Sequence, residues 1–480
     1  MSSVATSENA ALGGMPDSPV PMTRGRRRTE VLMLVFAVAL VAFAYANVGF
    51  GLKGTLPSGM AEYMIAFVVL LAAAHLAVRR LAPWADPLLL PLAATLNGLG
   101  IVMTYRLQEV GRDGNPGTMS VPLSSSATLI QIVYTAIGIG CFVAVLALVR
   151  EPRVLQRYTY IFGLVGIILL ALPALLPASI SEVQGAKIQI RLGGFTIQPE
   201  EFAKLALAVS FAGYLMAKRD VLSLAGRRLV GIDLPRARDL GPVLIAWATS
   251  LLLLVFESDI GTSALFMGLF VAMLYIATQR TSWLLIGFVL FVAGAYSASK
   301  LFSHVGERFQ IWLHPFAGNN PFNNSYQLVQ GLYGMGSGGI LGKGLGAGQP
   351  YLTPLVQSDF VVTAFGEELG MTGLMAILLL YGLIVQRGLA TSVAVKDPFS
   401  KILAGGLAFM LALQIFVIVG GVTRLIPLTG ITTPFLSQGG SSLVASWIII
   451  ALLMRLSDTA RRPPPQPIQD EGMTQVVNLS

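Results

Sequence analysis

Residues 31–49 read VLMLVFAVALVAFAYANVG, an apolar run without a charged side chain. At about 1.5 Å per helical residue, such a run is close to the thickness of the hydrocarbon core of a bilayer. Similar runs recur at residues 61–78, 86–104, 126–149, 158–177, 198–217, 240–256, 260–278, 282–299, 360–386, 402–423 and 435–454. The sequence therefore predicts an all-α, polytopic integral membrane protein with about twelve transmembrane helices.

The composition of the 480-residue chain supports a membrane-embedded fold. Hydrophobic residues make up 54% of it and charged residues 12%, against about 25% charged in an ordinary soluble domain. The net charge of +8 does not indicate nucleic-acid binding, because the basic side chains lie between apolar runs rather than on a folded polar domain. Cys141 is the single cysteine and the histidines are scattered, which excludes an internal disulfide and argues against a Cys- or His-based metal site.

Lys and Arg residues predict the orientation of the helices. Most of the 32 fall in alternate connecting segments, which places these segments and both termini in the cytoplasm by the positive-inside rule. Residues 1–30 form a Ser-, Gly- and Pro-rich basic tail that is predicted to be disordered and to contain no cleavable signal. Residues 456–480 form a second short cytoplasmic tail.

One charged motif, Gln198-Pro199-Glu200-Glu201-Phe202-Ala203-Lys204, begins an apolar run. Pro199 suits a first helical turn, and Glu201 and Lys204 then lie on one helix face at i,i+3 spacing. Ionisable side chains at membrane depth are costly unless they are paired. The two residues form either a structural ion pair or the lining of a polar cavity that opens to the outside.

The longest polar connection runs from residue 300 to residue 358. Its alternating aromatic, amide and glycine residues predict packed re-entrant or amphipathic helices on the outer surface. The run Gly334-x-Gly336-x-x-Gly339 formally fits a dinucleotide fingerprint, but no βαβ unit surrounds it. Two interpretations remain: exposed backbone N–H groups beside Lys343 that hold an anion such as a diphosphate, or a flexible glycine-rich chain.

This loop ends at Asp359, and Glu367 and Glu368 follow about 12 Å deeper in the membrane if the segment is helical. A lone Asp at the start of a helix is either an N-cap or a functional carboxylate. Because the loop brings Asp359, Lys343 and Arg308 to one outer mouth of the bundle, we favour the functional interpretation.

These motifs together resemble those of the SEDS family of bacterial cell-wall proteins, typified by RodA, FtsW and SpoVE. The family has a ten-helix core, which corresponds here to residues 86–455, so residues 31–80 are predicted to form two extra N-terminal helices. The elongation branch, typified by RodA, is favoured over the division branch. The matching stretches are Gln198–Lys204, Glu257–Thr262, Gly336–Gly344, Gln357–Gly370 and Thr429–Ser442.

The resemblance implies a peptidoglycan glycosyltransferase that polymerises lipid II into glycan strands at the outer face of the bacterial cytoplasmic membrane. It also implies a class B penicillin-binding protein as partner, besides lipid II, the nascent glycan strand and membrane lipids. Asp359 is the implied catalytic residue. The candidate cavity and substrate-binding residues are Glu201, Lys204, Arg308, Gln330, Lys343 and Ser437.

The chemistry of lipid II suits such a site, because its diphosphate leaves without needing a general acid. The reaction needs a base for the attacking sugar hydroxyl, for which Asp359 is the candidate, and positive charge to hold the diphosphate. Lys343, Arg308 or a divalent cation, Mg²⁺ or Mn²⁺, would supply that charge. A single-base displacement predicts inversion at the sugar carbon. The alternatives are a lipid II flippase, a division-specific polymerase and a scaffold that recruits a synthase.

Overall fold

Long apolar helices make up most of the chain in the computed structural model. The structure describes residues 25–112, 126–222 (except 184, 185, 188, 193 and 194), 225–229, 232–235, 260–317 and 320–463. It also describes four single positions between 241 and 249. The helices are α1 (Gly25–Lys53), α2 (Met60–Leu81), α3 (Leu89–Arg112), α4 (Ala127–Leu148), α5 (Arg153–Gln156), α6 (Thr159–Leu175), α7 (Ala178–Ser181), α8 (Pro199–Leu222), α9 (Ile260–Thr278), α10 (Ser282–Leu301), α11 (Ser303–Leu313), α12 (Tyr326–Gly338), α13 (Val361–Glu368), α14 (Gly370–Ala394), α15 (Pro398–Val422) and α16 (Gly440–Arg461).

Within the described part of the chain, eight helices are long and apolar enough to cross a membrane: α1, α2, α4, α9, α10, α14, α15 and α16. Helices α3, α6 and α8 occupy three further predicted positions: α6 is shorter, α8 carries more charged residues, and α3 is less apolar on average than the eight. The predicted run at 240–256 and the motif residues 257–259 lie largely outside the described residues. The multi-pass helical class is confirmed, and the number twelve stays a prediction.

The prediction of one continuous helix over residues 360–386 is wrong at its beginning. The structure ends α13 at Glu368 and starts the long helix α14 at Gly370. Gly370 has a φ of +69°, and a Cβ placed on it would lie 2.3 Å from the backbone nitrogen of Gly342. The chain therefore breaks where only glycine fits both the left-handed backbone and the close approach of another segment.

The structure also contains short strands that the sequence did not predict. They form three two-stranded antiparallel sheets, with Ile190 opposite Ile197 in one of them. None is longer than five residues, so the all-α class is unchanged. The strands are β1 (Glu182–Val183), β2 (Ala186–Lys187), β3 (Ile190–Leu192), β4 (Phe195–Ile197), β5 (Ala225–Leu229) and β6 (Ile232–Pro235).

Helix α16 lies at the centre of the bundle and is buried over almost its whole length. Its Trp447 is fully buried and meets the rings of Phe142 and Phe435 edge-on, at centroid distances of 5.7 and 5.6 Å. The indole Nε1–H donates to Asn97 Oδ1 at 2.9 Å, so the polar atom of the ring is satisfied inside the core. Trp447 thus joins α16 to α3 and α4 and to the loop that precedes α16.

The segment between α2 and α3 is fixed to the end of α16. Asp458, which is fully buried, accepts a hydrogen bond from the backbone N–H of Trp84 at 2.7 Å. Arg455 donates from Nη1 to the carbonyl of Leu81 at 2.8 Å, and Arg461 forms an ion pair with Asp86. These contacts hold the end of α2 and the segment that follows it against the end of α16.

We expect Trp447→Ala to lower the free energy of unfolding by about 3–5 kcal/mol, because it opens a cavity at the centre of the bundle and leaves Asn97 Oδ1 without its donor. The measurement is thermal unfolding of the purified protein in detergent. Phe288→Ala on α10 is the control, since the Phe288 side chain is 66% exposed at the bundle surface. Equal shifts in the two variants would contradict the central position given to Trp447.

Candidate functional site

Two short helices, α12 and α13, pack against each other at one end of the bundle, which we call the mouth. Glycines make their close contact possible. A Cβ at Gly331 would lie 2.8 Å from the Phe360 ring, and one at Gly338 would lie 2.3 Å from the carbonyl oxygen of Gly366. The predicted packed helices of the 300–358 loop are therefore present as α11 and α12.

Glu368, the last residue of α13, is a fully buried carboxylate with strong donors. Its Oε1 accepts from Arg106 Nε on α3 at 2.7 Å, and its Oε2 accepts from the backbone N–H of Gly346 at 3.1 Å. Arg106, which is also buried, donates from Nη2 to the carbonyl of Gly348 at 2.7 Å. One ion pair therefore ties α3, α13 and the glycine-rich turn together.

Residues 342–349, which we call the glycine cradle, wrap around the end of α13. The Glu367 carboxylate accepts from Lys343 Nζ at 2.8 Å and from the backbone N–H of Gln349 at 2.9 Å. The backbone N–H groups of Lys343 and Gly344 donate to the carbonyls of Glu367 and Glu368 at 3.1 and 2.9 Å. The anions that the glycine cradle binds are therefore the carboxylates of Glu367 and Glu368 in the same chain.

This geometry corrects both predictions for the glycine-rich segment. The N–H groups that were expected to be exposed already have acceptors, so they do not form an open anion site, and the backbone is packed rather than a simple flexible linker. Lys343 keeps 36% of its side chain exposed although it is paired with Glu367. Its predicted contact with a diphosphate stays a prediction.

Asp359 lies just before α13 and is partly buried. The N-cap residue of α13 is Phe360, and no side chain caps this helix, so the N-cap interpretation of Asp359 is wrong. Loss of solvent raises the pKa of the Asp359 carboxyl from 3.8 to about 6, although its own backbone N–H and the nearby Arg308 guanidinium act to lower it. A carboxylate with this pKa is mostly ionised at neutral pH and is a better base than an ordinary Asp.

The backbone that leads into Asp359 is held by the loop before α16. The Ser437 hydroxyl donates to the carbonyl of Ser358 and accepts from the backbone N–H of Thr433 at 2.7 Å. The backbone N–H of Gln438 donates to the carbonyl of Gln357 at 2.9 Å. Ser437 is 2% exposed, so the structure places it behind the Asp359 backbone.

Arg308 and Gln330 lie on the two helices of the 300–358 loop. Arg308, on α11, donates from Nη1 to the carbonyl of Leu428 at 3.1 Å and lies close enough to Asp359 to affect its pKa. Gln330 is partly buried on α12. Arg308 is thus the predicted cation that the structure brings to Asp359.

Glu201 and Lys204 form a buried ion pair at the start of α8. Their side chains are 3% and 5% exposed, and Lys204 Nζ lies 2.9 Å from Glu201 Oε2. Lys204 also donates to Gln414 Oε1 at 3.3 Å, and Gln414 Nε2 donates to the carbonyl of Thr432 at 3.0 Å. The predicted pairing is confirmed, and the role of this pair in a substrate cavity stays a prediction.

Sequence reasoning missed Arg106 and Gln414 as members of the site. Arg106 lies just beyond the predicted run at 86–104 and belongs to no predicted motif. Its position two residues after an apolar run was a usable signal, because a cation at that depth needs a partner. Gln414 lies inside an apolar helix and gave no pattern of its own.

The bundle, the buried glutamates and Asp359 at the mouth define a polytopic membrane protein with a carboxylate site at one end. The family model for FtsW, RodA and SpoVE, described as "Cell cycle protein", matches residues 86–462. The chain belongs to this family. The match begins after α2, so α1 and α2 lie outside the matched residues, and the predicted division into a ten-helix core and two extra helices stays a prediction.

Curated relatives extend the comparison beyond that core. "Peptidoglycan glycosyltransferase RodA" of Mycobacterium tuberculosis (strain ATCC 25618 / H37Rv) is 48% identical over 448 residues, 93% of this chain and 94% of its own length. The protein of the same name from Mycobacterium leprae (strain TN) is 47% identical over 440 residues, 91% of this chain and 92% of its own length. Both alignments are longer than residues 86–480, so they extend into the region of α1 and α2.

More distant relatives cover a smaller share of the chain. "Probable peptidoglycan glycosyltransferase FtsW" of Geobacter metallireducens (strain ATCC 53774 / DSM 7210 / GS-15) is 29% identical and covers 79% of this chain and 96% of its own length. The crystal structure of Thermus thermophilus RodA shares the fold with a TM-score of 0.51 at 21% identity, covering 79% of this chain and 98% of its own. A chain from "Structural coordination of polymerization and crosslinking by a peptidoglycan synthase complex" has a TM-score of 0.60 at 23% identity, covering 79% and 99%.

We expect Arg106→Met to lower the free energy of unfolding by about 3–5 kcal/mol, because it leaves Glu368 buried without its cation. Adding Glu368→Met to this variant should recover part of the loss, since the uncompensated charge is then gone. Thermal unfolding in detergent of both single variants and the double variant measures the coupling.

The control pair is Arg153–Asp397, at 2.9 Å with Arg153 67% exposed. Arg153→Met should cost at most about 1 kcal/mol, because exposed ion pairs contribute little. If Arg106→Met costs no more than this control, the Arg106–Glu368 pair does not hold the mouth together.

Proposed function

We propose that the protein is a peptidoglycan glycosyltransferase that polymerises lipid II into glycan strands at the outer face of the cytoplasmic membrane. The observation that carries the proposal is Asp359, a partly buried carboxylate with a raised pKa, on a backbone held by Ser437 and Gln438 and with no capping role. The names of the RodA relatives support the same reaction.

In this proposal a hydroxyl oxygen of one lipid-linked sugar attacks the anomeric carbon of the other. The bond from that carbon to the diphosphate oxygen breaks, and the diphosphate leaves with the bonding electrons. Asp359 takes the proton of the attacking hydroxyl as general base. Because attack and departure occur on opposite faces of one carbon in a single displacement, the product has inverted configuration.

Positive charge at the mouth would stabilise the departing diphosphate. Arg308 is best placed for this role, because its guanidinium has donors besides the Nη1 group that binds the Leu428 carbonyl. Lys343 would contribute if the substrate competes with Glu367 for its ammonium group.

A divalent cation, Mg²⁺ or Mn²⁺, also fits the proposal. In the described part of the chain, no three His, Cys, Asp or Glu side chains form a ready metal cluster. Asp359 would be the protein carboxylate that holds such an ion, since Mg²⁺ at phosphate groups commonly binds through only one or two carboxylates. Such an ion would supply charge to the leaving group.

The comparisons favour an elongation role and a partner enzyme. Identity is 48% to a RodA protein but 29% to an FtsW protein, which supports the elongation branch. One structural neighbour comes from a peptidoglycan synthase complex that combines polymerisation and crosslinking. We therefore propose a class B penicillin-binding protein as the partner. From the distribution of Lys and Arg residues we also propose that both termini of this chain lie in the cytoplasm.

We expect Asp359→Asn to abolish polymerisation, with at least a hundredfold loss, since the amide keeps the shape of the side chain but cannot accept the proton. The assay uses purified protein, its partner synthase with an inactivated transpeptidase, and labelled lipid II in detergent, with glycan strands separated by length. Glu307→Gln is the matched control, because Glu307 lies on the same loop beside Arg308. Strand synthesis at the wild-type rate by Asp359→Asn, or lipid II crossing vesicles without any polymer, would contradict the proposal.

The polymerisation rate should fall about tenfold per pH unit below pH 6 and level off above it, because the base must be ionised and the pKa of Asp359 is about 6. Arg308→Gln should move this acid limb to higher pH, since Arg308 lowers the pKa of the carboxyl. Initial rates between pH 4.5 and 8 for both proteins measure the shift. An acid limb that stays in place in Arg308→Gln would exclude Asp359 as the titrating group.

A further inference from the structure

The first helix, α1, lies outside the residues matched by the family model and reaches the glycine cradle at the mouth. Gly51 in the last turn of α1 and Gly346 in the cradle touch through their backbones. A Cβ on Gly51 would lie 2.4 Å from the carbonyl oxygen of Leu345 and 3.1 Å from the Cα of Gly346. A Cβ on Gly346 would lie 2.9 Å from the carbonyl oxygen of Val48 and 3.2 Å from the Cα of Gly51.

Two further contacts fix the end of α1 at this position. Lys53, the last residue of α1, forms an ion pair with Glu109 near the end of α3. Earlier in α1, the ring centroid of Tyr45 lies 4.6 Å from that of Tyr105 on α3. Because α3 also carries Arg106, α1 packs against the helix that neutralises Glu368.

The contact leads directly to the site. Gly346, which touches Gly51, donates its backbone N–H to Glu368 Oε2 at 3.1 Å. Glu368 ends α13, and Asp359 lies just before the beginning of the same eight-residue helix. A displacement of the cradle would therefore change the position of α13 and of the Asp359 carboxylate.

We infer that α1 is a positioning element of the glycosyl-transfer site, in which the backbone contact of Gly51 with Gly346 holds the glycine cradle against α13. The inference rests on the proposed function for its kinetic consequence. It assigns a role in the reaction to a helix that lies outside the residues matched by the family model.

A membrane anchor alone would not require glycine at position 51. Gly51 is helical and has no positive φ, so its backbone conformation is open to any residue. What excludes a side chain there is the backbone of Leu345 and Gly346, which no change of rotamer moves away. Alanine should favour the helix itself more than glycine does, so a loss on substitution would come from the contact.

The test compares Gly51→Ala and Gly51→Val with Gly140→Ala and Gly140→Val. Gly140 is the control because it lies within α4 with no atom near the position of its missing Cβ. In the polymerisation assay we expect kcat to fall about tenfold in Gly51→Ala and further in Gly51→Val, with the KM for lipid II unchanged. Both Gly140 variants should keep the wild-type kcat.

Hydrogen exchange supplies a second readout that does not depend on activity. The peptides that cover residues 340–350 should exchange faster in Gly51→Ala than in the wild type and in Gly140→Ala, because the N–H of Gly346 is released from Glu368. Unchanged exchange and unchanged kcat in Gly51→Ala would overturn the inference. A wild-type protein that makes no polymer would instead overturn the proposed function, while the exchange experiment would still decide whether α1 holds the cradle.

Discussion

The buried charge of Glu368 is the constraint around which the mouth is arranged. The carboxylate lies at the C-terminal end of α13, where the partial charge of the helix is also negative, and it is fully removed from solvent. Such a charge is tolerated in the interior only where strong, well-aligned hydrogen-bond donors compensate for its lost hydration. Arg106 on α3 and the N–H of Gly346 supply them, so three separate segments must meet in one geometry.

A second polar path holds Asp359 from the other side of the bundle. It begins at the Glu201–Lys204 pair on α8 and passes through Gln414 on α15 to the backbone of Thr432. The same loop supplies Ser437, which binds the carbonyl next to Asp359. Irregular backbone inside a membrane protein is tolerated where the protein satisfies its polar groups, and here hydrogen bonds from neighbouring segments do so.

The periodicity of the sequence correctly predicted those features of the fold that depend on local composition. The helix predicted at residues 260–278 ends at Thr278, as predicted, because the apolar run ends there at polar residues. The spacing of Glu201 and Lys204 likewise predicted their pairing, since i,i+3 neighbours share a helix face.

What the sequence did not predict depends on contacts between distant segments. The break at Gly370 follows from the approach of Gly342, and the acceptors of the cradle N–H groups are provided by Glu367 and Glu368. Neither partner can be read from the local pattern around the other. For the same reason Arg106 looked like an exposed charge at the end of an apolar run, although its guanidinium is buried against Glu368.

The contact of Gly51 with the glycine cradle gives α1 a role at the site in addition to that of a membrane-spanning helix. The family model matches residues 86–462, so α1 and α2 lie outside the matched residues. Gly346 has a φ of +87° and would need to be glycine for the turn of the cradle alone. Gly51 makes no turn, and the carbonyl of Leu345 excludes a side chain at that position. The sequence of α1 is therefore constrained by the site that it touches as well as by the membrane that it crosses.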